Sequence, residues 1–422
     1  MTTSDADRLV VVGLGYVGLP LVVEAVRAGV SVTGFDVKGA TVDGLNAGRS
    51  HVDDVSDSVV SEIVAAGFRA TSDTSCLDEA DAVIICVPTP LDGDGAPDLG
   101  AVRAATATIR DHLHAGMLVV LESTTYPGTT DGPVREILEE SGLMAGRDFY
   151  LAFSPERIDP GNPVWGMRNT PKIVGGLTPA CTERAASFYG RIVDTVVRVS
   201  GPREAEMAKL LENTYRHINI ALVNEMAVLS HELGVDLWES IDAARTKPFG
   251  FQAFYPGPGV GGHCIPIDPN YLSHHVKSLG YEFRFVELAQ EISSRMPEYV
   301  VERLARSLTA RGASLSGARV LLLGVTYKAD IADDRETPAR DVVRALRVAG
   351  ATVSAHDPLV AEFSVDGSPV HMVSDLDEAL GACDVAVLLQ AHSVYDLEHI
   401  ASVAPQVFDT RGKMRGPNVE RL

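Results

Sequence analysis

The side chains best suited to covalent chemistry lie in one loop, Phe254-Tyr-Pro-Gly-Pro-Gly-Val-Gly-Gly-His-Cys-Ile-Pro-Ile-Asp-Pro-Asn-Tyr271. Cys264 has His263 beside it and Asp268 four residues on. Gly257, Gly259, Gly261 and Gly262 open backbone angles closed to other residues, while Pro256, Pro258, Pro266 and Pro269 restrict the chain, so the loop should hold one shape and present its cysteine. Titratable neighbours on both sides are what thiolate chemistry uses. Free cysteine is also among the most buried residue types, so an inert thiol in a tight turn is an equal reading of the loop alone. A second set, Lys209, Asn213 and His217, recurs every four residues and shares one helix face, either a solvated stripe or part of a site. Glu156, in Phe153-Ser-Pro-Glu-Arg-Ile-Asp-Pro-Gly161, reads unaided as an exposed acid.

The elements that must position these groups start at Leu9-Val-Val-Val-Gly-Leu-Gly-Tyr-Val-Gly18, an apolar strand that runs into Gly-x-Gly-x-x-Gly and a helical pattern. Gly13 makes the turn, Gly15 lets a pyrophosphate approach the backbone, and Gly18 permits close helix–strand packing. Gly13, Gly15, Tyr16, Val17 and Gly18 are the expected cofactor contacts. A second strand, Val30-Ser-Val-Thr-Gly-Phe-Asp36, ends in an acid that would bond the adenosine ribose hydroxyls and repel a 2′-phosphate, selecting NAD over NADP. Two more apolar strands end in Val-Pro-Thr-Pro90 and Glu-Ser-Thr-Thr125, which places Thr89, Ser123 and Thr124 at the ligand-binding edge of a doubly wound sheet. Such hydroxyls also cap helices.

From Pro202 to about Gly234 runs a helical pattern longer than usual, with Leu210, Leu211, Ile218, Leu222, Val223, Met226 and Leu229 covering more than one stripe. That surface calls for a second domain or a second chain, so a homodimer or larger homo-oligomer is expected. Further on the first domain's pattern returns: Gly29-Val-Ser-Val-Thr-Gly-Phe-Asp36 is echoed by Gly350-Ala-Thr-Val-Ser-Ala-His-Asp357. The glycine turn is not repeated; Gly324-Val-Thr-Tyr-Lys328 stands there, so a different ligand is expected. Lys328, Arg335 and Arg411 are candidate cations for an anionic ligand, and each could equally be a surface charge.

The fold class is therefore α/β, with two Rossmann-like doubly wound parallel sheets joined by a long central helix. Three domains are expected: a cofactor domain over 1–199, a central helical dimerisation region with the cysteine loop over 200–311, and a ligand domain over 312–422. A net charge of −21 over 422 residues argues against nucleic acid as a partner. The five cysteines form no C-x-x-C pair and no short Cys/His spacing, against zinc or a disulfide framework, so no metal is expected and a reducing cytoplasm is the default location. The polar, acidic first residues are no signal peptide, and the uncharged run Leu9–Val23 is shorter than the roughly 20 residues of a membrane span.

Taken together, the glycine turn, Ser154-Pro-Glu-Arg157, Lys209-x-x-x-Asn213, Gly-Gly-His-Cys264-x-x-x-Asp268, Tyr-Lys328 and Arg335-Glu-Thr-Pro338 resemble the nucleotide-sugar 6-dehydrogenases along essentially the whole chain. Thr-Lys-Pro-Phe-Gly-Phe251 and the cysteine loop look most like the N-acetylhexosamine branch, UDP-N-acetylglucosamine 6-dehydrogenases above all, with UDP-N-acetylmannosamine and UDP-glucose as alternative substrates. The resemblance implies a four-electron oxidation of a UDP-sugar's C6 hydroxyl by two NAD in turn, through a thioester on Cys264. It implies that Lys209 and Asn213 stabilise oxyanion character, that Asp268 and Thr124 orient a water, and that Glu156 is the base for thioester hydrolysis. It further assigns Glu156, Lys209, Asn213, Arg245, Tyr255, Gly259, Gly261, Lys328 and Arg411 to the substrate and Arg335 to the cofactor. Some members carry a second glutamate where this chain has Pro160, which leaves a cofactor contact there without its residue. A non-catalytic NAD-dependent sensor would need the glycine turn and Asp36 but not Cys264, Lys209, Asn213 and Asp268 together. A hydroxy-acid dehydrogenase or an epimerase would need no nucleophilic cysteine.

Replacing Asp36 with Ala is expected to weaken NAD binding and to relax discrimination against NADP, because the acid both accepts the ribose hydroxyls and repels the phosphate. The ratio of kcat/KM for the two cofactors measures this; a native enzyme that already prefers NADP would reverse the assignment.

Overall fold

The computed structural model describes residues 8–92, 97–159, 161–162, 164–262 and 268–422. Its contacts divide into two units, residues 1–212 with 270–279, and residues 213–269 with 280–422. The stretch 200–311 is thus shared between them.

The first unit is an eight-stranded sheet of β1 (Arg8–Val12), β2 (Ser31–Phe35), β3 (Arg69–Thr71), β4 (Ala82–Ile85), β5 (Leu118–Leu121), β6 (Tyr150–Phe153), β7 (Lys172–Gly176) and β8 (Val196–Arg198), in the order β3-β2-β1-β4-β5-β6-β7-β8. Every pairing is parallel except β6 with β7. The strands read as unbroken apolar runs because both faces are covered. On β1, Leu9 and Val11 join one core with Leu19, Val22 and Phe188, while Val10 and Val12 join the opposite core with Val102, Ile109 and Phe149. The register pairs Val12 with Ile85, Ile85 with Leu121, and Leu121 with Phe153. Consequently Gly13, Cys86, Glu122 and Ser154 stand in one row just past the strand ends.

In the second unit β9 (Arg319–Leu323), β10 (Thr352–His356), β13 (His371–Met372), β14 (Val385–Leu388), β15 (Val407–Asp409) and β16 (Val419–Arg421) form a parallel sheet ordered β13-β10-β9-β14-β15-β16; β11 (Ser364–Val365) and β12 (Ser368–Pro369) make a separate hairpin. Alternation repeats: Val320 and Leu322 face one core, Leu321 and Leu323 the other. The indole N–H of Trp238 donates to the carbonyl of Leu422 at 3.1 Å, tying the chain's last residue to the helix Leu237–Ala244.

The helix Pro202–Glu232 is continuous and begins in the first unit. There Glu206, fully buried, accepts from the N–H groups of Gly128 and Thr130 at 2.7 and 2.9 Å and from the Thr130 hydroxyl at 2.7 Å. It closes the turn that follows Thr124. Burial outweighs those hydrogen bonds and pushes its carboxyl up to about 7. A raised acid binds its proton more readily folded than unfolded, so its contribution to stability is full below the ordinary value of 4.5 and is lost as pH rises through about 7. The loss is on the order of 3 kcal/mol. Replacing Glu206 with Gln is expected to flatten this part of the pH dependence of unfolding between pH 4.5 and 7, at a cost of about 1–3 kcal/mol for the donor left unpaired. Denaturant melts across that range provide the measurement.

Candidate active site

At the end of β1 the three glycines have different reasons to be glycine. Gly13 has φ +93, and a Cβ on it would fall 2.6 Å from the Cys86 carbonyl oxygen; on Gly18 a Cβ would fall 1.9 Å from the Gly13 carbonyl oxygen. Those two serve the fold. A Cβ on Gly15 would meet nothing within 4 Å, so no protein atom demands glycine there and the open space lies at the start of the helix Gly18–Arg27. That helix has Val17 as its N-cap with no side-chain cap, so no side chain covers the positive end of its dipole. Asp36 accepts from the Leu14 N–H through Oδ2 at 3.0 Å and from the Lys38 N–H through Oδ1 at 2.9 Å, which fixes the carboxylate beside the turn. Tyr16 is 40% exposed, its hydroxyl 3.4 Å from Asp53. A dinucleotide fits these residues, with the opening at Gly15 available to a pyrophosphate and the carboxylate of Asp36 to a ribose.

Beside this turn, Thr89 is held through its carbonyl, which accepts from the buried Tyr271 hydroxyl, as does Pro90 at 3.1 Å. The Ser123 hydroxyl is committed to the Val87 carbonyl at 2.8 Å, tying the ends of β4 and β5 together, so it serves the sheet edge itself. Thr124, next along, is half-buried.

Glu156 and Lys209, fifty-three residues apart, meet: the Lys209 ammonium donates to the Glu156 main-chain carbonyl at 2.6 Å. The contact is reinforced by Arg157, whose guanidinium grips Glu212 at 2.6 and 3.2 Å and the Pro171 carbonyl at 2.6 Å. Far from being an exposed acid, Glu156 is 8% exposed, its Oε1 accepting from the N–H groups of Arg157 and Ile158. The loop reading made from sequence misjudged it because the partners that bury it come from distant strands. Asn213 follows one turn after Lys209, half-buried, in the second unit. Cys264 and His263 lie outside the described residues, as does the side chain of Asp268, whose backbone opens the helix Asp268–Ser278.

In the second unit the described part of the cysteine loop is clamped. Gly257 donates its N–H to Asn224 at 3.0 Å, and a Cβ on it would fall 2.8 Å from the Arg411 guanidinium. Gly259 takes φ +131 against Pro338; a Cβ on Gly261 would fall 2.5 Å from the Glu336 carbonyl oxygen, and one on Gly262 2.7 Å from the Tyr327 ring. Arg411 donates to the Leu389 carbonyl at 2.6 Å, and burial lowers its guanidinium to about 10. Arg411 is therefore a neighbour of Gly257, and Tyr327 of Gly261 and Gly262. Arg245 pairs instead with Tyr255 (3.4 Å) and Asp242 (3.5 Å), and Tyr255 stacks on Trp238. Arg335 forms a two-pronged pair with Asp333 at 2.8 and 2.7 Å.

The second sheet's acid shows why this unit differs from the first. Asp357 accepts from the Val325 N–H at 2.7 Å, as Asp36 does from Leu14, but its side chain is fully buried and paired with His392 Nε2 at 3.1 Å. That acid is closed to a ribose. Sequence reasoning also missed Glu206, Asn224 and Tyr271; His217, read from sequence as on a solvated stripe or part of a site, is fully enclosed, and burial lowers its imidazole to about 4, which holds it neutral. For Glu206 the signal was present, three residues before Lys209 on one helix.

Residues 7–193 match the NAD binding domain of the UDP-glucose/GDP-mannose dehydrogenase family, residues 203–295 its central domain and residues 321–415 its UDP binding domain. A UDP-N-acetyl-D-glucosamine 6-dehydrogenase of Pseudomonas aeruginosa is 36% identical over 92% of this chain and 91% of that protein. A UDP-N-acetyl-D-mannosamine dehydrogenase of Pyrococcus horikoshii is 36% identical over 84% of each. Among solved structures, a UDP-D-ManNAc dehydrogenase of Pyrococcus horikoshii superposes with a TM-score of 0.89 at 32% identity, covering 98% of both chains. A UDP-glucose dehydrogenase of Pyrobaculum islandicum superposes with 0.86 at 27% identity, covering 99% of this chain and 97% of the other. With the glycine turn open at Gly15, the acid of the second sheet closed by His392, and all three family domains present in order, the chain belongs to the UDP-glucose/GDP-mannose dehydrogenase family and is an NAD-dependent nucleotide-sugar dehydrogenase.

Proposed function

We propose that this enzyme oxidises the C6 hydroxyl of a UDP-N-acetylhexosamine, UDP-N-acetylglucosamine first, to the uronate through a thioester on Cys264. The observation that supports the mechanism is the junction of Lys209 with Glu156, in which the Lys209 ammonium holds the main-chain carbonyl of the residue that carries the buried carboxylate. Bound at the glycine turn, NAD accepts the two electrons of each oxidation. Lys209, with Asn213, stabilises negative charge developing on O6 as the alcohol loses its proton. The Cys264 thiolate adds to the aldehyde carbon; the thiohemiacetal so formed loses its C–H to become a thioester and cannot escape as free aldehyde. Glu156 then takes a proton from water attacking the thioester, which releases the carboxylate and the thiol, while Thr124 and Asp268 orient that water. Arg411 and Lys328 hold the diphosphate, with Gly259 and Gly261 allowing its close approach; Tyr255 and Arg245 line the sugar side. Arg335, once released from Asp333, meets the cofactor.

The choice among hexoses rests on the relatives' names: N-acetylglucosamine and N-acetylmannosamine enzymes are equally similar in identity. A panel of UDP-glucose, UDP-N-acetylglucosamine and UDP-N-acetylmannosamine, followed by NADH absorbance, is expected to give two NADH per sugar with the N-acetylglucosamine compound turned over fastest. Cys264→Ser is expected to cut overall turnover by roughly 1,000-fold or more while leaving NAD and UDP-sugar affinity within a few-fold. Unchanged turnover removes the cysteine from the reaction, and one NADH per sugar removes the second oxidation.

The same reading includes a homodimer paired through the long helix. Leu210 is buried within the chain, but Met207, Leu211, Tyr215, Leu222, Met226 and Leu229 are 39–64% exposed and, at steps of three, four or seven residues, form one stripe along the helix. Light scattering is expected to give twice the 44.9 kDa of the chain, and Leu222→Glu to reduce it to one. A native mass of one chain with full activity would defeat the pairing.

A further inference from the structure

Behind Glu156 the first unit buries a set of charges that a sheet core does not need. β7 runs antiparallel to β6 with Phe153 opposite Gly175, so its first residue, Lys172, reaches past the end of β6 to lie alongside the Ser154–Glu156 turn. Lys172 is 3% exposed; its ammonium stands 2.9 Å from Glu122 Oε2, 3.8 Å from Glu156 Oε2 and 5.3 Å from the centre of the Tyr189 ring. The Tyr189 hydroxyl donates to the other oxygen of Glu122. On Glu156, Oε1 is taken by two backbone N–H groups, whereas Oε2 is buried without a hydrogen-bond donor and faces the Lys172 charge.

The other titratable groups around this carboxylate come from each neighbouring element. Cys86 at the end of β4 is a buried thiol that desolvation pushes far up, so it carries no charge. Tyr189 is pushed up by burial and by Glu122 and is likewise neutral. Lys209 lies on the main-chain carbonyl of Glu156, and the Arg157 guanidinium is spent on Glu212 and Pro171. Burial works to lower Lys172, but the carboxylates of Glu122 and Glu156 outweigh it and raise it, so the ammonium is charged. Two carboxylates thus share one buried cation. Such an arrangement is weak evidence for stability in itself, because desolvation offsets most of the attraction.

We propose that Lys172 is a positioning residue for thioester hydrolysis: its ammonium, held between the two carboxylates, is the charge that faces Glu156 Oε2, and Glu122 shares it. The proposal rests on Glu156 being the hydrolytic base. Removing the cation leaves two buried carboxylates facing each other, which raises the affinity of Glu156 for a proton. Removing the charge of Glu122 gives Lys172 wholly to Glu156 and lowers it. The two changes therefore act in opposite directions, which loss of packing alone does not produce.

The test is the pH profile of the hydrolytic step in single turnovers of the full-length enzyme, with NAD and UDP-N-acetylglucosamine or whichever UDP-sugar of the panel is turned over fastest. NADH formation reports the oxidations and uronate release reports hydrolysis. Lys172→Met is expected to shift the acid limb of uronate release up by about one pH unit or more, with the first NADH formed at a rate within twofold of native. Lys172→Arg is expected to restore the native limb, and Glu122→Gln to move it down. An unshifted limb in Lys172→Met, or a shift in the same direction for Lys172→Met and Glu122→Gln, overturns the proposal. If Lys172→Met does not fold, as judged by its thermal midpoint and NAD affinity, Glu122→Gln decides: a limb moved down supports the proposal and an unmoved limb overturns it. Glu156→Gln separates the two readings. Two NADH formed without uronate release means that Glu156 is the base, so that a fixed limb in Lys172→Met then counts against Lys172 alone; undiminished release in Glu156→Gln removes the base and the proposal with it.

Discussion

One helix holds both loops of the reactive edge. Residues just past a strand end have left the ladder, and their N–H and carbonyl groups need partners from elsewhere. The first turns of Pro202–Glu232 supply them: Glu206 takes the N–H groups of the Gly128–Thr130 turn, Lys209 the carbonyl of Glu156, and Glu212 the guanidinium of Arg157. Three side chains spaced three residues apart on a rigid rod thus fix two loops that approach from different strands. Because a helix transmits position along its axis with little give, any shift of this rod moves Lys209 and the Glu156 turn together, and the pair keeps its geometry.

The two sheets are built alike and then made unlike by a single neighbour. In each, an acid at the end of the second strand braces the turn after the first, Asp36 on Leu14 and Asp357 on Val325. His392 covers Asp357 and desolvates it, whereas Asp36 stays half-buried. The repeated acid is therefore a structural brace in both units, and only in the first is it also free to face a ribose. Gly15 follows the same logic, since its neighbours Gly13 and Gly18 answer to protein atoms and Gly15 answers to none.

In the first unit the buried charges Glu122, Glu156 and Lys172 lie at or just beyond strand ends, and Glu206 reaches from the long helix to the turn after β5; the second unit buries Arg303, Asp333 and Asp409. Taking such groups out of water is expensive, and hydrogen bonds or ion pairs recover only part of it, so each one constrains the protonation state of its neighbours. The result is an edge whose polar groups are poised rather than merely tolerated.

Much of this was legible in the sequence because it is written in short-range pattern. Unbroken apolar runs, the Gly-x-Gly-x-x-Gly turn at a strand end, the acid closing the next strand and the length of Pro202–Glu232 each depend on residues near one another in the chain, and each was read with its element type right. What the tertiary structure decided depends on partners far apart. Lys172 heads an apolar strand, and nothing near it in the sequence marks its neighbours; only the antiparallel return of β7 sets it between Glu122 and Glu156. Glu156 looked exposed because the carbonyl-to-lysine contact that closes over it spans fifty-three residues. The hydroxyl of Ser123 turned inward to Val87, and Arg335 folded back on Asp333, for the same reason: which neighbour a polar side chain finds is set by strand order and register, and a linear pattern carries neither.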